Sequence, residues 1–139
     1  MNYFLFWQKW LLVVSILITV FGVLMVASSF LGDNSSGVGP EFVQKYKIIT
    51  FFAFRQWLLA ILGATIAGWG ICLIFMAHYP FKRKELWAWN SLILGLSVWF
   101  VLDTIFLMYA GVYFNAIFNT VVFVLAILPL IFTRKHFVE

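Results

Sequence analysis

The chain has 139 residues, of which 65% are hydrophobic, 21% aromatic and only 10% charged, and it carries a formal net charge of +4; its mean hydropathy is +1.05. Water-soluble domains are about 45–50% apolar and about 25% charged, so this chain has too few polar groups to cover a surface in water. The same figures exclude disorder, coiled coils, collagen and disulfide scaffolds, and they leave the membrane.

Cys72 is the single cysteine and lies in an apolar run, which excludes an internal disulfide, dithiol redox chemistry and a cysteine-based zinc cage. His78 and His136 flank hydrophobic segments, with no carboxylate cluster near either in sequence, so neither a metal nor a cofactor is expected. The basic excess gathers at segment ends, where it fixes orientation and meets anionic lipid headgroups rather than nucleic acid.

Four stretches are long enough to cross a ~30 Å hydrocarbon core, which takes about 20 residues of helix. They cover about residues 10–31, 50–77, 86–110 and 112–133, and each is continuous rather than alternating, unlike a barrel strand. The first follows an aromatic, weakly basic stretch, Met1 to Lys9, and reads as a retained span rather than a signal peptide cut near Ala27-Ser28-Ser29. Along it Ser15, Thr19, Gly22 and Ser29 share a face. An outer loop, 32–49, opens with the Gly/Ser-rich run Gly32 to Pro40, in which Asn34-Ser35-Ser36 matches a glycosylation acceptor relevant only in a eukaryotic secretory setting. Its second part, Glu41 to Ile49, places Phe42, Tyr46 and Ile49 at helical spacing, as in a short helix on the outer interface.

The second span carries Ala53, Gln56, Ala60, Gly63, Ala67 and Gly70 within an arc of about 100°. Ala64 and Gly68 lie off that arc, where a second copy of the chain could use them. The third span has Asn90, Ser97 and Thr104 at heptad spacing, and Asn115, Asn119, Ala126 and Thr133 line the fourth, in which Pro129 removes a backbone hydrogen bond. In lipid, small and polar residues are what bring helices together. Four such stripes on antiparallel, short-turned helices describe one all-α, up-down bundle forming a single domain.

Direction follows from charge. The loop Phe81-Lys82-Arg83-Lys84-Glu85 and the tail beginning Arg134-Lys135-His136 are positive, loop 32–49 is balanced, and the turn at Gly111 is uncharged. The positive-inside rule therefore puts both termini and the Lys82–Lys84 loop in the cytoplasm, with Trp7, Trp10, Trp87, Trp89 and Tyr79 near the inner interface. His78, Tyr79, Lys82 and Arg83 could meet a phosphate headgroup there, although such a loop serves first as a topology signal.

An ionisable residue inside a span is a candidate functional group by default. Asp103 lies about two thirds of the way along the third span and should stand level with Asn119, with Asn115 one turn further out. Arg55 begins the second span on the same outer side, and Gln56, Thr104 and Tyr113 complete a polar set. Buried without a partner, the Asp103 carboxyl favours its neutral form and suits proton coupling or a ligand hydrogen bond. Paired with Arg55 it stays charged and acts as a strut. The expected function is binding of a lipid or small amphipathic ligand in an outer-half pocket formed by Arg55, Gln56, Asp103, Thr104, Asn115 and Asn119. The alternatives are a small proton-coupled transporter with Asp103 as carrier, or a ligand-free accessory subunit of a membrane complex. No catalytic set is expected, because both histidines lie at the depth opposite Asp103 and no second carboxylate shares its level.

The runs Gly63-Ala64-Thr65-Ile66-Ala67-Gly68-Trp69-Gly70, Ala77-His78-Tyr79-Pro80-Phe81-Lys82, Trp87-Ala88-Trp89-Asn90, Leu102-Asp103-Thr104 and Phe114-Asn115-Ala116-Ile117-Phe118-Asn119-Thr120 resemble small bacterial four-helix membrane proteins of unassigned function. The resemblance covers most of the chain; it implies a multi-pass protein of the bacterial cytoplasmic membrane and brings no activity. Its partners would be membrane lipids, a second copy, or another membrane protein. Vitamin K epoxide reductases, disulfide-forming membrane oxidases and claudin-like proteins need cysteine pairs that this chain lacks. Small multidrug transporters place a carboxylate in the first span, where Ser15 and Thr19 stand here.

Overall fold

The computed structural model describes residues 3–31 and 48–138. It contains α1 (Tyr3–Leu31), α2 (Ile48–His78), α3 (Leu86–Tyr109), α4 (Tyr113–Thr133) and the single-turn α5 (Lys135–Val138), with no strand among the described residues. The expected outer loop, its glycosylation triplet and nearly all of the interfacial helix lie outside the described residues.

Four of these helices are long and apolar enough to cross a membrane. Between 11% and 33% of the most apolar stretch of each is buried inside the protein, so most of its Leu, Ile, Val and Phe surface faces outward. Such a surface is far larger than a monomer in water exposes, and it matches contact with acyl chains. Helix α1 begins at Tyr3 rather than near residue 10. The aromatic residues that precede the apolar run are drawn into the helix by packing: Phe4 stacks on Phe81 at 5.9 Å and Trp7 on Phe132 at 4.8 Å between ring centroids.

The chain divides into two compact units, Met1–Ser15 with Cys72–Glu139, and Ile16–Ile71. The first unit holds a side-chain core. Leu11, Val14, Leu73, Ala77, Phe81, Ala88, Leu92, Leu96, Ala126 and Leu130 are buried there, with Phe81 and Leu130 at 0% exposure. Phe81 packs on Phe4 and, at 4.8 Å, on Phe137, so the start of α1, the α2–α3 loop and the C-terminal turn meet at one end of this unit. Helices α3 and α4 face each other through Trp89 and Leu130, through the Phe100–Phe123 stack at 4.2 Å, and through Asp103 and Asn119. Their connection turns at Gly111, whose φ of 73° is open to glycine at no steric cost.

The buried face of α3 differs from the expected stripe. Ala88, Leu92 and Leu96 are buried, Ser97 and Thr104 are half-buried, and Asn90 is exposed. At about 100° per residue Asp103 falls within the same arc as Ala88, Leu92 and Leu96, whereas Asn90, Ser97 and Thr104 cluster on nearly the opposite side of the helix.

Among the described residues of this unit, three side chains donate to a carbonyl of another helix. Pro129 has no N–H, so the Leu125 carbonyl one turn earlier lacks its usual helical donor, and Trp10 Nε1 supplies one at 3.0 Å. The Ala77 carbonyl lies in the last turn of α2, where the helix has run out of donors; buried Gln8 Nε2 reaches it at 3.1 Å. Trp89 Nε1 donates to the Leu130 carbonyl at 2.8 Å in the last turn of α4. A backbone carbonyl in hydrocarbon has no water to turn to, so each of these contacts fixes one helix against another.

The second unit is built on glycine. A Cβ on Gly22 would meet the Ala67 amide nitrogen and stand 2.7 Å from the Gly63 carbonyl oxygen, and one on Gly63 would stand 2.7 Å from the Gly22 oxygen. A Cβ on Gly70 would meet the Thr19 hydroxyl and lie 2.8 Å from the Thr19 nitrogen. Residues 19–22 of α1 and 63–70 of α2 thus touch backbone to backbone, as small residues allow in a membrane. Gly22, Gly63 and Gly70, expected on the first two stripes, are at this contact. Gly68 has nothing within 4 Å of its Cβ position.

Candidate functional site

Asp103 stands six residues before Tyr109 at the end of α3, and Asn119 six residues after Tyr113 at the start of α4. Each is therefore about 9 Å along its helix from the intervening turn, at 1.5 Å per residue. This equal offset lets the Asn119 side-chain amide donate to the Asp103 Oδ2 carboxylate oxygen. Both residues are half-buried, and the Phe100–Phe123 stack lies one turn further from the Gly111 end.

The pair leaves hydrogen-bonding capacity unused. The second carboxylate oxygen, the second amide hydrogen of Asn119 and its carbonyl remain open to another partner. Thr104 follows Asp103 in sequence, and its buried hydroxyl oxygen has no hydrogen-bond partner among the described residues. A hydroxyl in this position ordinarily donates to the carbonyl one turn back, as Thr120 does to Ala116 at 2.8 Å. The α3–α4 pair thus holds a carboxylate acceptor and an amide in contact, and α3 also carries the Thr104 hydroxyl.

The remaining expected site residues are placed as follows. Asn115 is exposed in the first turn of α4, as is Tyr113. Arg55 and Gln56 belong to the second unit, near the start of α2, with Arg55 exposed and Gln56 half-buried. The structure therefore brings Asp103 and Asn119 together, with Thr104 next to Asp103 in sequence but turned about 100° round α3, and sets Asn115 one turn away. Among the described residues no three of His, Cys, Asp and Glu gather at one point.

Sequence reasoning named the basic residues at the other end of the first unit but not the aromatic rings they lie against. Three cations sit over aromatic rings there: Lys84 over Phe4 at 5.4 Å, Arg134 over Trp89 at 5.8 Å and Lys135 over Tyr3 at 5.7 Å. Trp7 Nε1 and His136 Nε2 are buried nearby without hydrogen-bond partners. The charges were legible in the sequence, but their aromatic partners lie across the fold and carry no sequence signal. No protein family, no curated protein and no solved structure matches the chain.

Proposed function

We propose that this is a multi-pass protein of a bacterial cytoplasmic membrane, an antiparallel four-helix bundle with both ends in the cytoplasm, which binds a lipid or small amphipathic molecule at Asp103, Asn119 and Thr104. Three features support the topology. The contacts of α3 with α4 pair rising residue numbers with falling ones, at 89 and 130, 100 and 123, and 103 and 119. The chain's start and end meet at Phe4 and Phe137, 6.0 Å apart, as an even number of crossings requires. Lys82, Arg83, Lys84, Arg134 and Lys135 all belong to that end and the uncharged Gly111 turn to the other, the asymmetry of a positive-inside protein.

The binding reading is carried by one observation: a half-buried carboxylate within membrane-crossing helices holds an asparagine donor and leaves acceptors, an amide hydrogen and a buried hydroxyl unused. Polar groups at such depth are retained where they serve a site, and here they would orient the polar end of a ligand whose apolar part lies along the surrounding Phe, Leu and Ile side chains. Native mass spectrometry of the purified protein tests it. The wild type should carry a bound small molecule or lipid that Asp103→Asn loses, the substitution keeping side-chain shape and the Asn119 contact while removing the carboxylate. Identical spectra for the two proteins would end this reading.

A further inference from the structure

We infer that the basic end of the first unit holds a specific site for the phosphate of an anionic phospholipid, separate from the Asp103 cluster. A cleft of about 550 Å³ opens there, lined by Tyr3, Ile131, Phe132, Arg134 and Lys135. Its two exposed cations each lie over an aromatic ring, the Arg134 guanidinium over Trp89 and the Lys135 ammonium over Tyr3. Neither has a carboxylate partner among the described residues, where the ion pair is Arg83 with Glu85 at 4.0 Å. Aromatic faces attract a cation without neutralising it, so both charges can meet an anion.

The apolar wall says what kind of anion. Ile131 and Phe132 belong to the last turn of a membrane-crossing helix, and Arg134 and Lys135 follow directly where that helix ends. A ligand filling this cleft meets charge at the level of the headgroups and hydrocarbon just inside it, as a phospholipid does and inorganic phosphate does not. Basic pockets at the ends of membrane helices bind anionic headgroups in this way. The inference rests on α4 crossing the membrane and is independent of any ligand at Asp103.

The test is lipid retention by the full chain in nanodiscs containing phosphatidylglycerol and phosphatidylcholine, read by native mass spectrometry. Wild type should retain phosphatidylglycerol preferentially, and the double variant Arg134→Gln/Lys135→Gln should reduce that preference roughly 25-fold, the loss expected for two cations near a headgroup. Lys82→Gln/Arg83→Gln removes the same formal charge from residues that do not line the cleft, and a specific site requires it to reduce the preference clearly less than the first double variant does. An equal loss in both double variants would overturn the site in favour of diffuse surface charge. Displacement of the lipid by excess inorganic phosphate would overturn the lipid assignment, as would equal retention of the two lipids by wild type.

Discussion

The two units of this chain solve the same problem by opposite means. The first fills the space between its helices with large side chains, Phe81, Leu11, Leu96 and Leu130, and then fastens indole and amide donors onto carbonyls that the helices leave unsatisfied. The second removes side chains altogether, so that the Cα of Gly22 faces the Gly63 carbonyl oxygen, that of Gly63 faces the Gly22 oxygen, and Gly70 meets Thr19. Hydrophobic burial cannot separate the two, because lipid is as apolar as a leucine core. What differs is where the van der Waals contact comes from, side-chain volume in one unit and backbone proximity in the other.

That difference predicts opposite responses to a change in volume. In the first unit, Phe81→Ala empties a fully buried position between Phe4 and Phe137 and should cost about 3–5 kcal/mol, the range for deleting a buried aromatic side chain. Phe106→Ala, at a position 64% exposed on α3, should cost well under about 1 kcal/mol. In the second unit the damaging change is an addition. Gly22→Ala drives a methyl group into the backbone of α2 and should cost about 1–3 kcal/mol, since backbone cannot step aside as a side chain can. Unfolding midpoints in mild detergent would rank the three, and a tolerated Gly22→Ala would show that the helices of the second unit are not in backbone contact.

The same contrast explains which parts of the fold could be read in advance. Four spans are legible because crossing a bilayer demands length and hydropathy, and both are local properties. The glycine contact is legible too, since Gly63, Ala67 and Gly70 repeat at helical spacing and nothing but close approach favours so many small residues on one face. The core of the first unit is not. Ala88, Leu92 and Leu96 form the buried face of α3, yet residues facing lipid on that helix are equally apolar, so the heptad of Asn90, Ser97 and Thr104 drew attention to the wrong side. Asp103 stood out because a charge in a span is rare, and its level with Asn119 follows from counting residues to the Gly111 turn. The Trp10 contact could not be read at all: Pro129 announces a vacant carbonyl, but only the fold says which donor reaches it.

That contact offers a smaller and sharper test of the side-chain fastening. Trp10→Phe keeps an aromatic ring and removes the donor to the Leu125 carbonyl, leaving an acceptor unsatisfied at a cost of about 1–2 kcal/mol. Pro129→Ala restores a backbone N–H to the same carbonyl, so on that background Trp10→Phe should cost much less. The coupling in the double-mutant cycle is expected to be about 1 kcal/mol. Zero coupling would mean that the indole and the proline act independently, and that packing alone holds α1 against α4.

The smallest effect is expected where a glycine has nothing to make room for. Gly68 shares α2 with Gly63 and Gly70 and is the same residue type in the same helix, yet its Cβ position is open for 4 Å. In the first unit Gly95 on α3 is equally open. Gly68→Leu and Gly95→Leu should each leave the unfolding midpoint of the monomer within about 0.5 kcal/mol of wild type, or raise it slightly through better helix propensity. Analytical ultracentrifugation in detergent reads what the midpoint does not. A dimer lost on Gly68→Leu but not on Gly95→Leu would place a second copy against the Ala64–Gly68 face, whereas an unchanged mass for both leaves that face to lipid. Either way, the residue that marks an interface in this chain is recognised by the backbone opposite it, not by its being glycine.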